Sequence, residues 1–126
     1  MGTTNLTAET FKDAVGRDGI TLVDWWAEWC GPCRMFAPVF EKASEQHPDI
    51  VFGKIDTESE VQLAAAAQIM SIPTLMAFRD GVLVFSQPGA LPEKALEQVI
   101  EAVRGLDMDD VRRQLDEQSA STTKKS

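Results

Sequence analysis

Residues 20–27 constrain the fold most, because they form a stretch that is apolar on both faces of the strand it predicts. Such a strand has to be covered on both sides, as the central strands of an α/β sheet are. The stretch nevertheless contains one acid, Asp24, and it leads directly to Cys30 and Cys33, the only two cysteines among the 126 residues. We therefore expect a buried central strand with a chemical site at its end.

Apolar runs and helical patterns alternate along the rest of the chain. The patterns predict strands at 5–6, 20–27, 50–56, 74–78 and 82–85, and helices at 7–17, 32–46, 58–68 and 92–105. Asp80-Gly81 is the turn pair of a hairpin between the last two strands. The order βαβαβαββα, with the middle strands in a βαβ unit, predicts an α/β fold with a central mixed β-sheet flanked by helices on both faces.

The size of the chain, 126 residues and 13.9 kDa, is typical of one domain. We expect this domain to cover residues 1–105, because Gly105 ends the last strongly patterned helix. Residues 106–126 predict a C-terminal extension, with a short amphipathic helix from Met108 and then a disordered polar tail over 119–126. The extension is interpreted either as a solvated segment without chemical function or as a docking element for a partner.

The charge of the chain excludes several classes of partner. The chain has a formal net charge of −8 and a pI of about 4.5. A protein with this negative charge is repelled by nucleic acids and by anionic membrane surfaces. No stretch approaches the roughly 18 apolar residues of a membrane helix, and the first residues lack the pattern of a secretory leader. We therefore expect a cytoplasmic protein that binds neither nucleic acid nor membrane.

The spacing of Cys30 and Cys33 predicts redox chemistry. With His47, they fall short of the four ligands of a structural zinc site, so no metal is expected, and His47 is predicted to be a surface or capping residue. Cys30, on the exposed edge of a helix N-terminus, is expected to attack a substrate disulfide as a thiolate, and Cys33, shielded beneath it, to resolve the mixed disulfide. Gly31 would let a substrate chain approach the sulfur, and Pro32 would stiffen the turn.

Asp24 is the candidate general base for this chemistry. Burial among apolar side chains would raise the pKa of its carboxyl, which could then accept the proton that Cys33 must lose. Lys54, in the predicted neighbouring strand, could tune the acid by its charge. The alternatives are a solvated strand edge for Asp24 and simple exposure for Lys54, while Trp26 is expected to shield Asp24 and Cys33 without touching substrate.

The segment Trp26-Ala27-Glu28-Trp29-Cys30-Gly31-Pro32-Cys33 resembles, residue for residue, the active-site signature of the thioredoxin family. Further matching features extend the resemblance over about residues 5–105. They are the family's buried acid at Val23-Asp24, its helix proline at Pro38, its cis-proline loop at Ile72-Pro73-Thr74, and its turn and groove glycines at Gly81 and Gly89. Trp25 departs from the phenylalanine expected at its position, which changes core volume without changing the chemistry.

The resemblance implies a thioredoxin fold in which a cis Ile72–Pro73 bond faces the cysteines. The backbone of Ile72 would pair with an extended substrate segment as a strand does. Trp29, Ile72, Gly89 and Ala90, together with Pro73, would form the docking groove. For Trp29 the alternative interpretation is plain core packing.

The resemblance further implies a general protein-disulfide reductase that exchanges dithiol for disulfide through Cys30 and Cys33. Its electrons would come from NADPH through a flavin-dependent thioredoxin reductase, and its other partners would be disulfide-containing proteins. The chain has no dinucleotide motif, so we expect no bound cofactor besides its own redox-active cysteines, and we expect a monomer.

Three alternatives remain open from the sequence. The same chemistry could run as a thiol oxidase or isomerase, since direction depends on potential and partner. A binding or chaperone-type module could use the groove around Trp29 and Pro73 with the extension 106–126. A third alternative is a metal cluster held between two chains by paired Cys30 and Cys33.

Overall fold

A computed structural model describes residues 2–125 of the chain, and within them it contains five strands and five helices. The predicted order of elements is confirmed, and a helix begins at Met108 in the C-terminal extension as predicted. In chain order the elements are β1 (Thr4–Asn5), α1 (Phe11–Gly16), β2 (Ile20–Trp26), α2 (Gly31–Gln46), β3 (Val51–Asp56), α3 (Val61–Ala66), β4 (Thr74–Arg79), β5 (Val82–Pro88), α4 (Glu93–Arg104) and α5 (Met108–Lys125).

The five strands form one mixed sheet in the order β1-β3-β2-β4-β5, which places β2 in its centre. Strand β2 is parallel to β3 and antiparallel to β4. The connection from β2 through α2 to β3 is the predicted βαβ unit. At Gly53 in β3 a side chain would not fit, because its Cβ would lie 2.9 Å from Cγ of Leu6, just after β1.

Helices cover both faces of this sheet, as the predicted fold class requires. One face carries a core with α2 and α4, in which Phe36, Phe40, Leu96 and Ile100 are fully buried. The other face packs α1 and α3 around Trp25. Because side chains alternate along a strand, these two cores account for the burial of β2 on both faces. Truncating Phe40 to alanine would cost about 3–5 kcal/mol of stability.

Helices α1 and α3 begin three to four residues later than their predicted starts at about residues 7 and 58. In each case a side chain binds a backbone N–H before the helix: Thr10 Oγ1 accepts from the Thr7 N–H, and Asp56 Oδ1 from the Glu58 N–H, both at 2.9 Å. Threonine and aspartate favour such local turns over helix. The predicted hairpin turn is confirmed, because Asp80 and Gly81 have φ values of 52° and 82°.

The C-terminal extension is anchored to the sheet by Arg79. One nitrogen, Nη1, donates to the carbonyls of Val103, Arg104 and Leu106 at 2.8, 3.0 and 2.8 Å. The structure differs from the predicted short helix and disordered tail, since α5 runs through to Lys125. The reason is that no glycine or proline follows Gly105 to end the helix. The last residue of the predicted tail lies outside the described residues.

Candidate active site

The two cysteines lie where the chain passes from β2 into α2. Cys30 is the N-cap of α2, and its sulfur accepts a hydrogen bond from the Cys33 N–H at 3.1 Å. The two residues form a disulfide with their Cα atoms 5.2 Å apart, inside the range that such bonds require. The helix N-terminus therefore directs a backbone N–H at Cys30 Sγ, a setting that favours the thiolate when the pair is reduced.

The predicted difference in exposure between the two cysteines is not found. Cys30 is 4% exposed and Cys33 is 3% exposed. Trp26 and Ile72 pack against them, and the Cys30 sulfur lies 3.7 Å from the Ile72 carbonyl oxygen. The asymmetry between them is one of access. Cys30 lines a surface cavity and Cys33 does not, so Cys30 is the cysteine that a molecule in the cavity can reach.

This cavity has a volume of about 480 Å³ and lies beside the disulfide. Its wall includes four residues predicted to bind substrate: Trp29, Gly31, Pro32 and Ile72. Trp29 is 67% exposed, so the interpretation as plain core packing was wrong. The predicted cis bond between Ile72 and Pro73 is present.

The cavity wall contains neither Pro73 nor the two other predicted groove residues, Gly89 and Ala90. Pro73 is buried, and its carbonyl accepts a hydrogen bond from the Gly89 N–H at 2.8 Å. Gly89 has a φ of 106°, which favours glycine, and both Gly89 and Ala90 are exposed. They lie next to the cis-proline loop, outside the wall of the cavity.

Sequence reasoning missed half of the cavity wall. The missed residues are Thr57, Ala64, Ile69, Met70 and Ser71. A usable signal was the apolar pair Ile69-Met70 in the short segment between the end of α3 and the Ile72–Pro73 bond. At 93%, Met70 is the most exposed of the large apolar side chains that the structure describes.

Asp24 is fully buried, so the interpretation as a solvated strand edge was wrong. It faces the same side of the sheet as Leu22, which is covered by α2. Neither carboxyl oxygen of Asp24 has a hydrogen-bond partner within the residues that the structure describes. Burial raises the pKa of Asp24 to about 7, against the opposing effect of the Lys54 charge. Asp24 can therefore both hold and release a proton near neutral pH.

Lys54 and Trp26 connect this acid to the cysteines. Lys54 lies opposite Asp24 in the register of the parallel strands β3 and β2. Its Nζ lies 5.1 Å from the centroid of the Trp26 ring. Trp26 in turn packs against the buried cluster of Ala27, Cys30 and Cys33. Lys54 is half-buried, so it is not simply exposed. The predicted shield at Trp26 is therefore in place on the cysteine side.

Between residues 2 and 125 there is no helix of the length and apolar character needed to cross a membrane. The same part of the chain contains no group of three or more His, Cys, Asp and Glu side chains that could hold a metal ion.

Comparison with known proteins gives consistent matches. The family model described as "Thioredoxin" matches residues 2–102. "Putative thioredoxin 2" of Streptomyces coelicolor is 57% identical over 118 residues, which cover 94% of this chain and 88% of that protein. This alignment of 118 residues is longer than the family match over residues 2–102, and it therefore includes part of the extension 106–126. "Thioredoxin-1" of Saccharomyces cerevisiae is 41% identical over 96 residues, covering 76% of this chain and 92% of that protein.

Solved structures match as well. The structure of a mutant thioredoxin from Halobacterium salinarum superposes with a TM-score of 0.77 and 34% identity, covering 84% of this chain and 94% of that one. A thioredoxin structure from Plasmodium falciparum gives a TM-score of 0.73 and 32% identity, with coverage of 79% and 98%. Both solved structures therefore resemble this chain in fold and in sequence.

Proposed function

The chain belongs to the thioredoxin family and is a thiol–disulfide oxidoreductase, and from this premise we propose that it reduces disulfides of other proteins through Cys30 and Cys33. The observation that supports this proposal most strongly is a disulfide at a helix N-terminus that borders an open cavity. A reactive sulfur needs both features, one to stabilise its thiolate and one to admit a substrate.

The reaction begins with the reduced protein. The Cys30 thiolate attacks one sulfur of the substrate disulfide, and the other substrate sulfur leaves as a thiolate. Cys33 then loses its proton and attacks Cys30 Sγ, which breaks the mixed disulfide and releases the second substrate thiolate. Two electrons pass from the protein to the substrate, and the Cys30–Cys33 disulfide seen in the structure is the product.

Asp24 is proposed to accept the proton from Cys33 in the second step. Its carboxyl is buried beneath α2 with no hydrogen-bond partner among the described residues, and its pKa of about 7 lies between those of a free acid and a free thiol. Lys54 is proposed to limit the rise of that pKa by its charge, because without it burial alone would act on the acid.

An extended segment of the substrate is proposed to bind across the cavity. Trp29, Gly31, Pro32 and Ile72 line it. The cis Ile72–Pro73 bond, with Gly89 and Ala90 beside it, would place the Ile72 backbone for strand-like pairing with that segment.

The protein is proposed to be re-reduced by a flavin-dependent thioredoxin reductase that takes its electrons from NADPH. Net reduction of substrates requires a compartment that keeps thiols reduced, so we place the protein in the cytoplasm. Disulfide, cavity and buried acid all belong to one chain, which supports a monomer as the working unit.

The test is reduction of a model protein disulfide by catalytic amounts of the protein, with a chemical dithiol as electron donor. Wild type should turn over, Cys30→Ser should be inactive, and Cys33→Ser should stop as a trapped mixed disulfide after one attack. Equal, uncatalysed rates for wild type and both variants would contradict the proposal. Partners kept by a Cys30→Ser, Cys33→Ser double variant would instead support a binding module.

A further inference from the structure

Met70 presents an apolar side chain to solvent beside the disulfide. It is 93% exposed, yet it forms part of the wall of the cavity that contains Cys30. Its neighbours in that wall, Ile69 and Ile72, are half-buried and apolar. Trp29, which is 67% exposed, belongs to the same wall. A single exposed apolar side chain is ordinary, but a joined apolar patch at a cavity indicates a surface that contacts a bound molecule.

The backbone on both sides of Met70 is held in place. Before it, the end of α3 is closed by two hydrogen bonds, from the Gln68 N–H to the Ala65 carbonyl and from the Ile69 N–H to the Ala64 carbonyl, both at 3.0 Å. This is the pattern of a Schellman motif, with Gln68 in the left-handed region at a φ of 58°.

After Met70, the Ser71 carbonyl accepts a hydrogen bond from the Thr74 hydroxyl at 2.5 Å, across the cis peptide bond. The loop therefore fixes the Met70 backbone between two bonded points and leaves its side chain free to adapt. A glutamine in the left-handed region is uncommon, which suggests that the course of this loop is maintained against a local preference.

We propose that Met70 is a specificity-determining residue, which together with Trp29 accepts an apolar side chain next to the reactive cysteine of the substrate. This inference rests on the proposed function, since its occupant is the segment that carries the attacked disulfide. The cavity is continuous with Cys30, so a residue flanking the substrate cysteine reaches it once the sulfurs meet. The unbranched thioether of methionine adapts to apolar side chains of different shapes, which suits a reductase with several targets.

Met35 provides a matched control for Met70. It is also a largely exposed methionine, at 73%, and it follows Cys33 by two residues. It does not line the cavity. Any effect of losing an exposed methionine near the cysteines will appear in both variants, whereas an effect of the cavity wall will appear only at Met70.

The experiment uses two disulfide peptides that differ only in the residues flanking the reactive cysteine, which are leucine in one and serine in the other. We would measure kcat/KM for wild type, Met70→Ser, Met70→Leu and Met35→Ser with a chemical dithiol as donor. Wild type should prefer the leucine peptide by about tenfold, the scale of one apolar contact in a pocket. Met70→Ser should lose most of that preference, because its kcat/KM for the leucine peptide should fall toward its value for the serine peptide. Met70→Leu and Met35→Ser should keep the preference.

The outcomes separate the two proposals. Failure of wild type to reduce either peptide, while a protein disulfide is also not reduced, would contradict the proposed function. Reduction of both peptides with no preference, or a Met70→Ser variant that keeps the preference, would overturn the assignment of Met70 alone. An equal loss in Met70→Ser and Met35→Ser would also overturn it, because the effect would then not depend on the cavity.

Discussion

The two ends of β2 differ in where they place polar and apolar side chains. At the end that leads to the cysteines, Asp24 is buried with no partner among the described residues, while Trp29 and Met70 expose large apolar surfaces. At the other end, Arg79 donates three hydrogen bonds to backbone carbonyls, and charged side chains pair with each other. The difference shows where the molecule gives up stability for reactivity and binding, and where it uses polar groups to hold its elements together.

We call the end of β2 near Ile20, with Arg79, Arg104, His47 and Asp49 around it, the paired end. There Arg104 links α4 to the end of α2. It donates to both carboxylate oxygens of Asp49, at 2.7 and 3.1 Å, and to Nδ1 of His47 at 3.0 Å. Since a guanidinium can only donate, His47 Nδ1 accepts and its Nε2–H donates to Glu97 Oε1 at 2.8 Å. His47 is the C-cap of α2, in agreement with the predicted capping role.

Among changes at the two ends of β2, the largest effect on stability is expected from Asp24→Asn. Between pH 3.8, the ordinary pKa of the acid, and about 7, its pKa in the fold, the folded state holds a proton that the unfolded state has released. Stability therefore falls as pH rises through this window, by about 4 kcal/mol in total. Asp24→Asn should remove this loss, stabilising the protein by up to about 4 kcal/mol at about pH 8 and hardly at all at about pH 4.

The measurement is urea unfolding of the oxidised protein at both pH values. The exposed acid Asp18, changed to asparagine, is the matched control and should show no such gain. A gain for Asp24→Asn that is equal at both pH values would show that burial does not perturb this carboxyl.

Asp24→Asn should also slow the second chemical step, in which Cys33 attacks Cys30 Sγ. Without a proton acceptor, decay of the mixed disulfide through Cys33 should slow about 100-fold near pH 7 in Asp24→Asn. The defect should shrink at higher pH, where more of the Cys33 thiol ionises without help. Stopped-flow decay of a preformed mixed disulfide measures this step, and formation of that mixed disulfide by Cys30 is the internal control. A slowed first step with a normal second step would contradict the assignment of Asp24.

At the paired end, Arg79→Met should destabilise the protein without changing catalysis. The methionine retains an apolar side chain but removes the donor from the carbonyls of Arg104 and Leu106, while the Val103 carbonyl keeps the Leu106 N–H at 3.4 Å. We expect a loss of about 2–3 kcal/mol. Arg17→Met is the matched control, because among the described residues Arg17 donates to a single carbonyl, that of Ile20 at 2.8 Å. It should lose about 1 kcal/mol. Urea unfolding and the disulfide assay check both parts, and a catalytic defect in Arg79→Met would show that the two ends are coupled.

The smallest effect is expected for Asp49→Asn. The hydrogen bond from Arg104 lowers the pKa of Asp49 to about 2. The stability from this pair is therefore present above about pH 4 and is lost as pH falls through 2. Because the pair is largely exposed, the loss should stay below about 1 kcal/mol and shrink in high salt. Unfolding of Asp49→Asn in low and high salt is the measurement, and a loss that does not depend on salt would show that the pair acts through geometry.

The parts of the molecule that sequence reasoning predicted depend on local patterns. The apolar stretch at 20–27 required a covered central strand, and the spacing of Cys30 and Cys33 at a helix start required a disulfide-capable pair. Asp24 was predictable as a buried acid because its sequence neighbours in the strand are apolar. Each of these conclusions used residues within one element and its immediate flanks.

The parts that were missed depend on contacts between distant segments. Arg79 meets carbonyls more than 20 residues away, and nothing in its own strand pattern indicates a helix end. The exposure of Met70 follows from the turn that closes α3. Cys30 is buried where Ile72, 42 residues further along the chain, packs against it from the cis-proline loop. Such contacts are set by the packing of the fold and leave no periodic pattern in the sequence.

The anchor at Arg79 has a practical consequence for attaching the protein to something else. It holds the start of the C-terminal extension at one end of β2, roughly 20 Å from the cysteines at the other end of this seven-residue strand. A reporter domain or an affinity resin attached at this start of the extension would lie at the end of the strand away from the reactive sulfur. The junction between α4 and the extension is therefore a place at which the domain can be joined to something else while its cysteines stay open.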